Sequence, residues 1–590
     1  MRPSQLDLGR KIREDETTMS EWQNWPWPLV HWRLEEDFLG PFLKAIEEKN
    51  IIERIWHKDW TLWGFSSEEI SHWLGWLEAP QAMLASVSEI EQFASSLKER
   101  GFRQALLLGM GGSSLASEVL NQIFPSNPEY LYLEILDSTV PEAIRRKEAR
   151  FPPDRTIYII SSKSGTTTET LCLFHYFFAR ARASLGQERA PSHFIAITDP
   201  STPLATRAAS LGFRKIWPGN PEVGGRFSAL THFGLVPAAL RGINLSALLH
   251  SARKMQLCCQ NLKVEENPGA LLAAFLAALE AQGRDKMLIW IEPELMALGD
   301  WLEQLVAEST GKKKKGLLPV TGQEELLSLA SLEDVAFIGV GTSEAFFDSF
   351  IQNLEKEPAP FLCLTFEPQR DIGALFFLWE WAISLAASFW QLNPFDQPDV
   401  EKTKIFTREI LQELKDKGKF PPLSAARVSE NDLTLSFSSA FNFDSLTKGL
   451  IDFLKSARKA GYLCLQAFLP SEGEIKLILD RIIKKLISGL RRPVTLGWGP
   501  RYLHSTGQFH KGGRDDGFFW QLIAEDEMDL IIPEGPGQEE GWLTFSSLKE
   551  AQARADYQAL ASLGKKIIQL RLGRDCLAAL QRIEKIIDSL

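Results

Sequence analysis

"RTIYIISSKSGTTTETLCLFHYFF", residues 155–178, holds a strand, a turn and a helix in succession. Ile157 to Ile160 form an apolar run of strand length. "SSKSGTTT" is turn chemistry, and the aromatic-rich tail has helical spacing. "FRQALLLGMGGSSLASEVL" (102–120) and "SHFIAITDPSTPLATRAA" (192–209) follow the same plan. Such repetition predicts βα units of a parallel sheet with helices on both faces. The cycle restarts at "DVAFIGVGTSEAFFDSFI" (334–351) and "APFLCLTFEP" (359–368), then again at "GYLCLQAFLP" (461–470) and "PVTLGWGPRYLHSTGQ" (493–508). Three strands end in Gly-x-Gly, at 109–111, 339–341 and 497–499, which suggests equivalent settings in up to three related lobes.

The expected fold class is therefore α/β, with two or three three-layer α/β/α lobes built on parallel sheets behind an N-terminal helical arm. Polar connections near 253–268 and 415–430 set the expected boundaries: an arm over 1–90, then lobes over 91–252, 253–425 and 426–590. Nine of the 18 tryptophans, Trp22 to Trp76, lie in the arm, where they are expected to pack onto the main body.

Composition narrows the class. At 590 residues, with 44% hydrophobic and 24% charged side chains, the chain can bury a sizeable core. The six cysteines show no C-x-x-C spacing and read as buried thiols in a reducing compartment. "MRPSQLDLGRKIREDETT" lacks the apolar core of a secretory signal, and no uninterrupted apolar run reaches membrane-span length. The expectation is a cytoplasmic protein with no membrane partner. A net charge of −11 argues against a nucleic-acid partner, while leaving room for a small anion. No His/Asp/Glu cluster has metal-ligand spacing, and neither metal nor cofactor is expected.

Chemistry concentrates in a few turns. Ser162, Ser164, Thr166, Thr167 and Thr170 offer hydroxyls around Gly165, just where a helix N-terminus favours an anion. The helix dipole contributes only about 0.3–1 kcal/mol, so hydroxyls and backbone amides must do most of the holding. Ser113, at the end of a neighbouring strand, faces the same crevice if the sheet is open and parallel. In "EVGGRFSALTHFGLVPAALRG" (222–242), Arg226 follows two glycines and suits either a ligand contact or a surface turn. His232 reads as a packed histidine. In "WLEQLVAESTGKKKKG" (301–316), Gln304 and Glu308 share one helix face, and the four lysines read as an exposed face. "LNPFDQPDVEKTK" (392–404) reads as a loop entering a charged helix that carries Lys404.

Taken in order, "GMGGSSLAS", "SSKSGTTTET", "VGGRFSALTHFGLVPAA", "ESTGKKKKG" and "NPFDQPDVEKTK" resemble the phosphoglucose isomerase family over residues 50–590. "YLHSTGQFHKGG" and "RIWHKDWTLW" look closer still to the isomerase half of bifunctional transaldolase/phosphoglucose isomerases. No transaldolase is expected here, since about 250 residues are needed for a (β/α)₈ barrel. The resemblance implies a phosphate cradle of Gly112, Ser113, Ser162, Lys163, Ser164 and Thr167. It implies Glu308 as the proton-transfer base, Arg226 as the cation steadying an enediolate, Gln304 and Gln397 as substrate contacts, and Lys404 in ring opening. The implied reaction interconverts glucose 6-phosphate and fructose 6-phosphate.

One departure stands out. The family's ring-opening histidine falls between the base and the "NPFDQP" motif, and this chain has no histidine between Glu308 and Pro394. Its "LHSTGQ" stretch comes only near the C-terminus, so His504 is expected to fill the role from a new chain position, with His510 not catalytic. The alternatives are a structural His504 with ring opening left to Lys404 or water, a catalytically silent sugar-phosphate-binding regulator, or an enzyme acting on an amino sugar phosphate. The last usually carries a glutamine-handling domain with an N-terminal nucleophile, which Met1–Arg2 does not offer. Relatives commonly dimerise with shared sites, so a homodimer is a further expectation.

Overall fold

The computed structural model describes residues 29–33, 38–64, 66–322, 324–354, 357, 359–423, 425–438, 441–588 and 590. Residues 1–28 of the expected arm, with Trp22, Trp25 and Trp27, lie outside the described residues.

Three sheets organise the described chain. In the first, strands 132–136, 104–109, 156–161, 194–198 and 215–218 lie side by side in that order, all parallel. Ile157, Ile159 and Ile160 have no exposure, as strands covered on both faces require. The chain moves outward from 104–109 to 132–136, then returns to build the rest of the sheet on the other side. The crevice between the strands ending at Gly109 and Ser161 is therefore the topological switch point, where open α/β sheets bind ligands.

The second sheet repeats this order with strands 318–322, 286–291, 335–341 and 361–365, all parallel. Its last position is taken by Leu29–Arg33, which pairs antiparallel with 361–365. The N-terminal region is thus not helical throughout: one segment closes a sheet edge, ahead of the helices Gly40–Glu48 and Ile51–Trp56. In the third sheet, strands 494–498, 462–468, 517–524 and 566–572 repeat the same scheme, and the antiparallel strands 433–437 and 426–430 extend it.

The three Gly-x-Gly stretches are not equivalent. The first ends the opening strand of its sheet, the second ends the strand beyond the switch point, and the third ends the outward edge strand. Glycine recurs because each strand must turn tightly, whatever its place in the sheet.

The helix Pro368–Trp390 is long and apolar enough to cross a membrane, although Glu380 interrupts the run and hid it from the sequence reading. Its apolar window is 94% buried within the protein, where it packs against Leu245–Cys258 and Pro268–Ala281. Trp56 stacks on Trp381 at 4.8 Å and Trp76 lies 5.3 Å from Phe227, so these tryptophans are packing groups. All six cysteines are free; five are buried and Cys576 is half-buried.

Candidate active site

At the switch point, Gly109 pairs in register with Ser161, and the Ser161 hydroxyl donates to the Ser113 carbonyl at 2.8 Å. This ties the "GMGGSS" turn to the "SSKSGTTT" turn. Within the latter, the Ser162 and Thr167 hydroxyls lie 3.0 Å apart, and Ser164 accepts from the Thr166 amide at 3.3 Å and from its hydroxyl at 2.9 Å. The helix Thr168–Leu185 starts here without a side-chain cap, so its first N–H groups face the turn. Gly165 holds φ at +65°, a backbone shape that other residues rarely adopt. Thr170 is buried inside the helix rather than lining the turn. Lys163 is already engaged: its ammonium pairs with Asp199 and donates to the Asn220 carbonyl at 3.1 Å.

The turn at Gly224–Arg226 presses against this crevice. A Cβ on Gly112 would sit 2.2 Å from the Gly225 carbonyl oxygen, so only glycine lets the two backbones meet. Arg226 is 5% exposed, and its guanidinium is fully used. It donates to Ser309 Oγ at 3.0 Å, to the Pro394 carbonyl at 2.9 Å, to the Asp396 carbonyl at 2.7 Å and to Gln397 Oε1 at 3.1 Å. One of its nitrogens also lies 3.1 Å from Glu308 Oε2.

Glu308 and Gln304 lie one turn apart on the helix Ala297–Thr310 and are both buried. Gln304 Nε2 donates to Glu308 Oε2 at 3.0 Å and to the His504 carbonyl at 2.7 Å. A segment more than 190 residues further along the chain is thereby docked beside the carboxylate. The His504 Nε2 reaches Glu169 Oε1 at 3.0 Å. Burial opposes charge on this imidazole, but the charge and hydrogen bond of Glu169 outweigh it, and His504 titrates above its ordinary value. Burial likewise raises Glu169, yet His504 and its hydrogen bond more than offset this and hold the carboxyl below its usual range.

Five of the expected residues thus form one connected group: Arg226, Gln304, Glu308, Gln397 and His504. Lys404 stands apart, exposed and paired with Glu401 at 2.5 Å, although its charge is felt by Glu169 and His504. Lys312 departs from the expected exposed lysine face: it is buried, donates to the Asn393 carbonyl and lies 2.8 Å from Asp396. Burial and the neighbouring Arg226 push its ammonium down to about 7, against the pull of Asp396. His232 packs beside Trp217 with Nδ1 at 2.7 Å from the Pro218 carbonyl. His510 is buried between Tyr462 and Cys464, and burial drives its titration well below the ordinary imidazole value. Sequence reasoning missed Glu169 and its second partner, Gln552, whose amide donates to Glu169 at 2.6 Å. No local signal marks Gln552; Glu169 sits in the quoted turn-helix stretch, where a first-turn acid passes for capping.

The phosphoglucose isomerase family model matches residues 95–347, which include Gly112, Arg226 and Glu308 but not His504. A glucose-6-phosphate isomerase of Thermus thermophilus is 30% identical over 382 residues, spanning 57% of this chain and 90% of the relative. One of Mycoplasmopsis pulmonis is 27% identical over 387 residues, spanning 58% and 90%. Among solved structures, the hypothetical protein TT0462 of Thermus thermophilus aligns with TM-score 0.57 at 25% identity, covering 65% of this chain and all of that one. A glucose-6-phosphate isomerase of Chlamydia trachomatis shares the fold, with TM-score 0.56 at 18% identity over 66% of this chain and 89% of its own. Nearly the full length of the Thermus relative is matched, and the family-model match over residues 95–347 contains both the switch-point turns and the buried Glu308–Arg226 pair: the chain belongs to the phosphoglucose isomerase family.

Proposed function

We propose that the protein interconverts glucose 6-phosphate and fructose 6-phosphate through an enediol intermediate. The observation that carries this reading is the buried Glu308 carboxylate, 3.1 Å from the Arg226 guanidinium and 3.0 Å from the Gln304 amide. A binding module has no need of a buried carboxylate aimed beside a fixed cation. An aldose–ketose isomerase needs one group that takes a proton from C2 and returns it to C1, and a cation near the oxygen that becomes negative.

In this mechanism the sugar phosphate sits at the switch point, with its phosphate held by the Ser113, Ser162, Ser164 and Thr167 turns and by the free amides of the helix start at Thr168. Lys163 acts by bracing the cradle through Asp199 rather than by touching the phosphate. His504, whose protonated form Glu169 favours, delivers a proton to the ring oxygen while the C1 hydroxyl gives up its own to solvent and the ring opens, and Lys404 assists from the rim. Glu308 then removes the C2 proton of the open-chain aldose. Negative charge develops on the C1 oxygen and is stabilised by Arg226, which Gln397 helps to orient. A proton passes from the C2 hydroxyl to the C1 oxygen, and Glu308 returns the abstracted proton to C1, which completes the ketose. Gln304 fixes the Glu308 carboxylate and the His504 backbone together.

The test is a coupled assay that converts fructose 6-phosphate and detects glucose 6-phosphate, run on wild type and Glu308→Gln. The wild type is expected to turn over, and the variant to lose about 10²–10⁴-fold in kcat, the usual contribution of a positioned base. A silent wild-type protein that still binds the sugar phosphate would instead make it a regulator.

A further inference from the structure

Three residues ahead of His504, Arg501 begins the short helical turn Arg501–His504. Its guanidinium lies 2.8 Å from Glu118 Oε2, 2.9 Å from Asp300 Oδ2 and 3.3 Å from Asp137 Oδ2. Glu118 belongs to the helix Leu115–Ile123 and Asp137 follows the strand Tyr132–Leu136, both in the unit built on the first sheet. Asp300 belongs to the helix Ala297–Thr310, which also carries Gln304 and Glu308. These three residues are spaced i, i+4, i+8 and therefore form one stripe along that helix. Arg501 grips the stripe at Asp300, and the His504 carbonyl receives Gln304 one turn further on, with Glu308 another turn beyond.

We propose that Arg501 is a positioning residue for ring opening: by clamping the 501–504 turn to the Glu308 helix and to the first sheet at once, it sets His504 at its working distance from Glu169 and Glu308. This rests on the ring-opening role proposed for His504. A planar guanidinium suits the task because it can serve several carboxylates in fixed directions, which a lysine cannot. Glu303, on the same helix, is pushed up to about 8 by burial and by Asp300, so near neutral pH it adds little negative charge around Arg501. Burial pushes the Glu118 carboxyl up to about 7; Arg501 pulls against this, and Asp137 and Asp300 add to the rise. With Arg501 gone, the carboxylates would repel across the joint between the first sheet's unit and the Glu308 helix. The turn would then be held by the Gln304 contact, the His504–Glu169 contact of 3.0 Å and the Tyr502–Asp556 hydrogen bond of 2.7 Å, none of which reaches Asp300 or the first sheet's Glu118.

The test measures kcat and KM on glucose 6-phosphate for Arg501→Gln, His504→Ala and the double variant. Misplacing a catalytic group by about 1 Å costs roughly 10²-fold, so Arg501→Gln is expected to lower kcat by about 10–100-fold with KM nearly unchanged. Because Arg501 acts through His504, adding Arg501→Gln to His504→Ala should cost less than about 2-fold more. If the two losses multiply, or if Arg501→Gln keeps wild-type kcat, the positioning role is overturned. Full activity in His504→Ala would sink the ring-opening reading itself, and Arg501's role with it. Should Arg501→Gln melt too low to assay, Asp300→Asn replaces it in the same cycle, since Asp300 is half exposed and tolerates neutralisation. Its smaller kcat loss must likewise vanish in the His504→Ala background, and persistence there would overturn the proposal.

Discussion

Glu169 and His504 each favour the other's charged form, and the sign of each shift fixes when the pair stabilises the protein. Glu169 titrates below its ordinary value in the folded state. Its contribution is complete above the unfolded carboxylate value of about 4.3 and is lost as pH falls through the lowered folded value. His504 titrates above its ordinary value. Its contribution is complete below about 6.5 and is lost as pH rises through the raised folded value. The pair is therefore worth most between about pH 4.3 and 6.5. The Tm difference between wild type and Glu169→Gln, followed by calorimetry across pH, should peak in that window and shrink above it. In the same variant the alkaline limb of kcat/KM should move to lower pH, because the imidazolium loses its counter-charge. An unmoved limb would separate Glu169 from catalysis. Glu308 and Arg226 were singled out through the resemblance, whose motifs are local, whereas their own surroundings in the sequence left Arg226 open between a ligand contact and a surface turn; the structure brings the two together at 3.1 Å. The Glu169–His504 pair was half legible: His504 stood out as a displaced motif, whereas Glu169 acquires its meaning only from a chain segment that arrives 335 residues later.

Among the elements, the contact between two turns decides whether Arg226 reaches Glu308. A methyl group on Gly112 would lie 2.2 Å from the Gly225 oxygen and 2.8 Å from the Arg226 amide nitrogen, backbone atoms that cannot swing aside. A methyl group on Gly225 meets nothing within 4 Å. Gly112→Ala is therefore expected to lose about 1–3 kcal/mol of stability and most of its turnover, while Gly225→Ala keeps both close to wild type. Chemical denaturation and the coupled assay read the contrast, and equal behaviour of the two variants would contradict the contact. At this scale the βα units were plain in the sequence, since apolar runs of strand length between glycine turns are a local signal. Strand order was not. The three Gly-x-Gly stretches look alike along the chain but end strands in three different sheet positions, and only pairing across the sheet distinguishes them. The strand Leu29–Arg33 was hidden for the same reason: its partner, Phe361–Thr365, lies some 330 residues away.

In the whole molecule, the unit on the third sheet is built into the other two rather than appended to them. Ile532, Phe545 and Leu548 pack in one core with Leu106, Ile160 and Phe174 of the first unit. Strand residues Leu463 and Trp520 share a core with Leu288 and Phe337 of the second. Lys286 pairs with Asp285 at 2.8 Å and also with Asp516, and Lys147 meets Glu472 at 2.8 Å, so polar contacts cross the same joints. A segment held this firmly presents His504 to Glu308 within one chain, at a local concentration that does not depend on how much protein is in solution. Specific activity should therefore stay constant as the protein is diluted from micromolar to picomolar. Mixing Glu308→Gln with His504→Ala should restore nothing, since neither chain can lend the other its missing group. Loss of specific activity on dilution, or recovery on mixing, would mean that a second copy completes the site. The third unit would then serve to build an interface, and the cis contact between His504 and Gln304 would not be the one used in turnover.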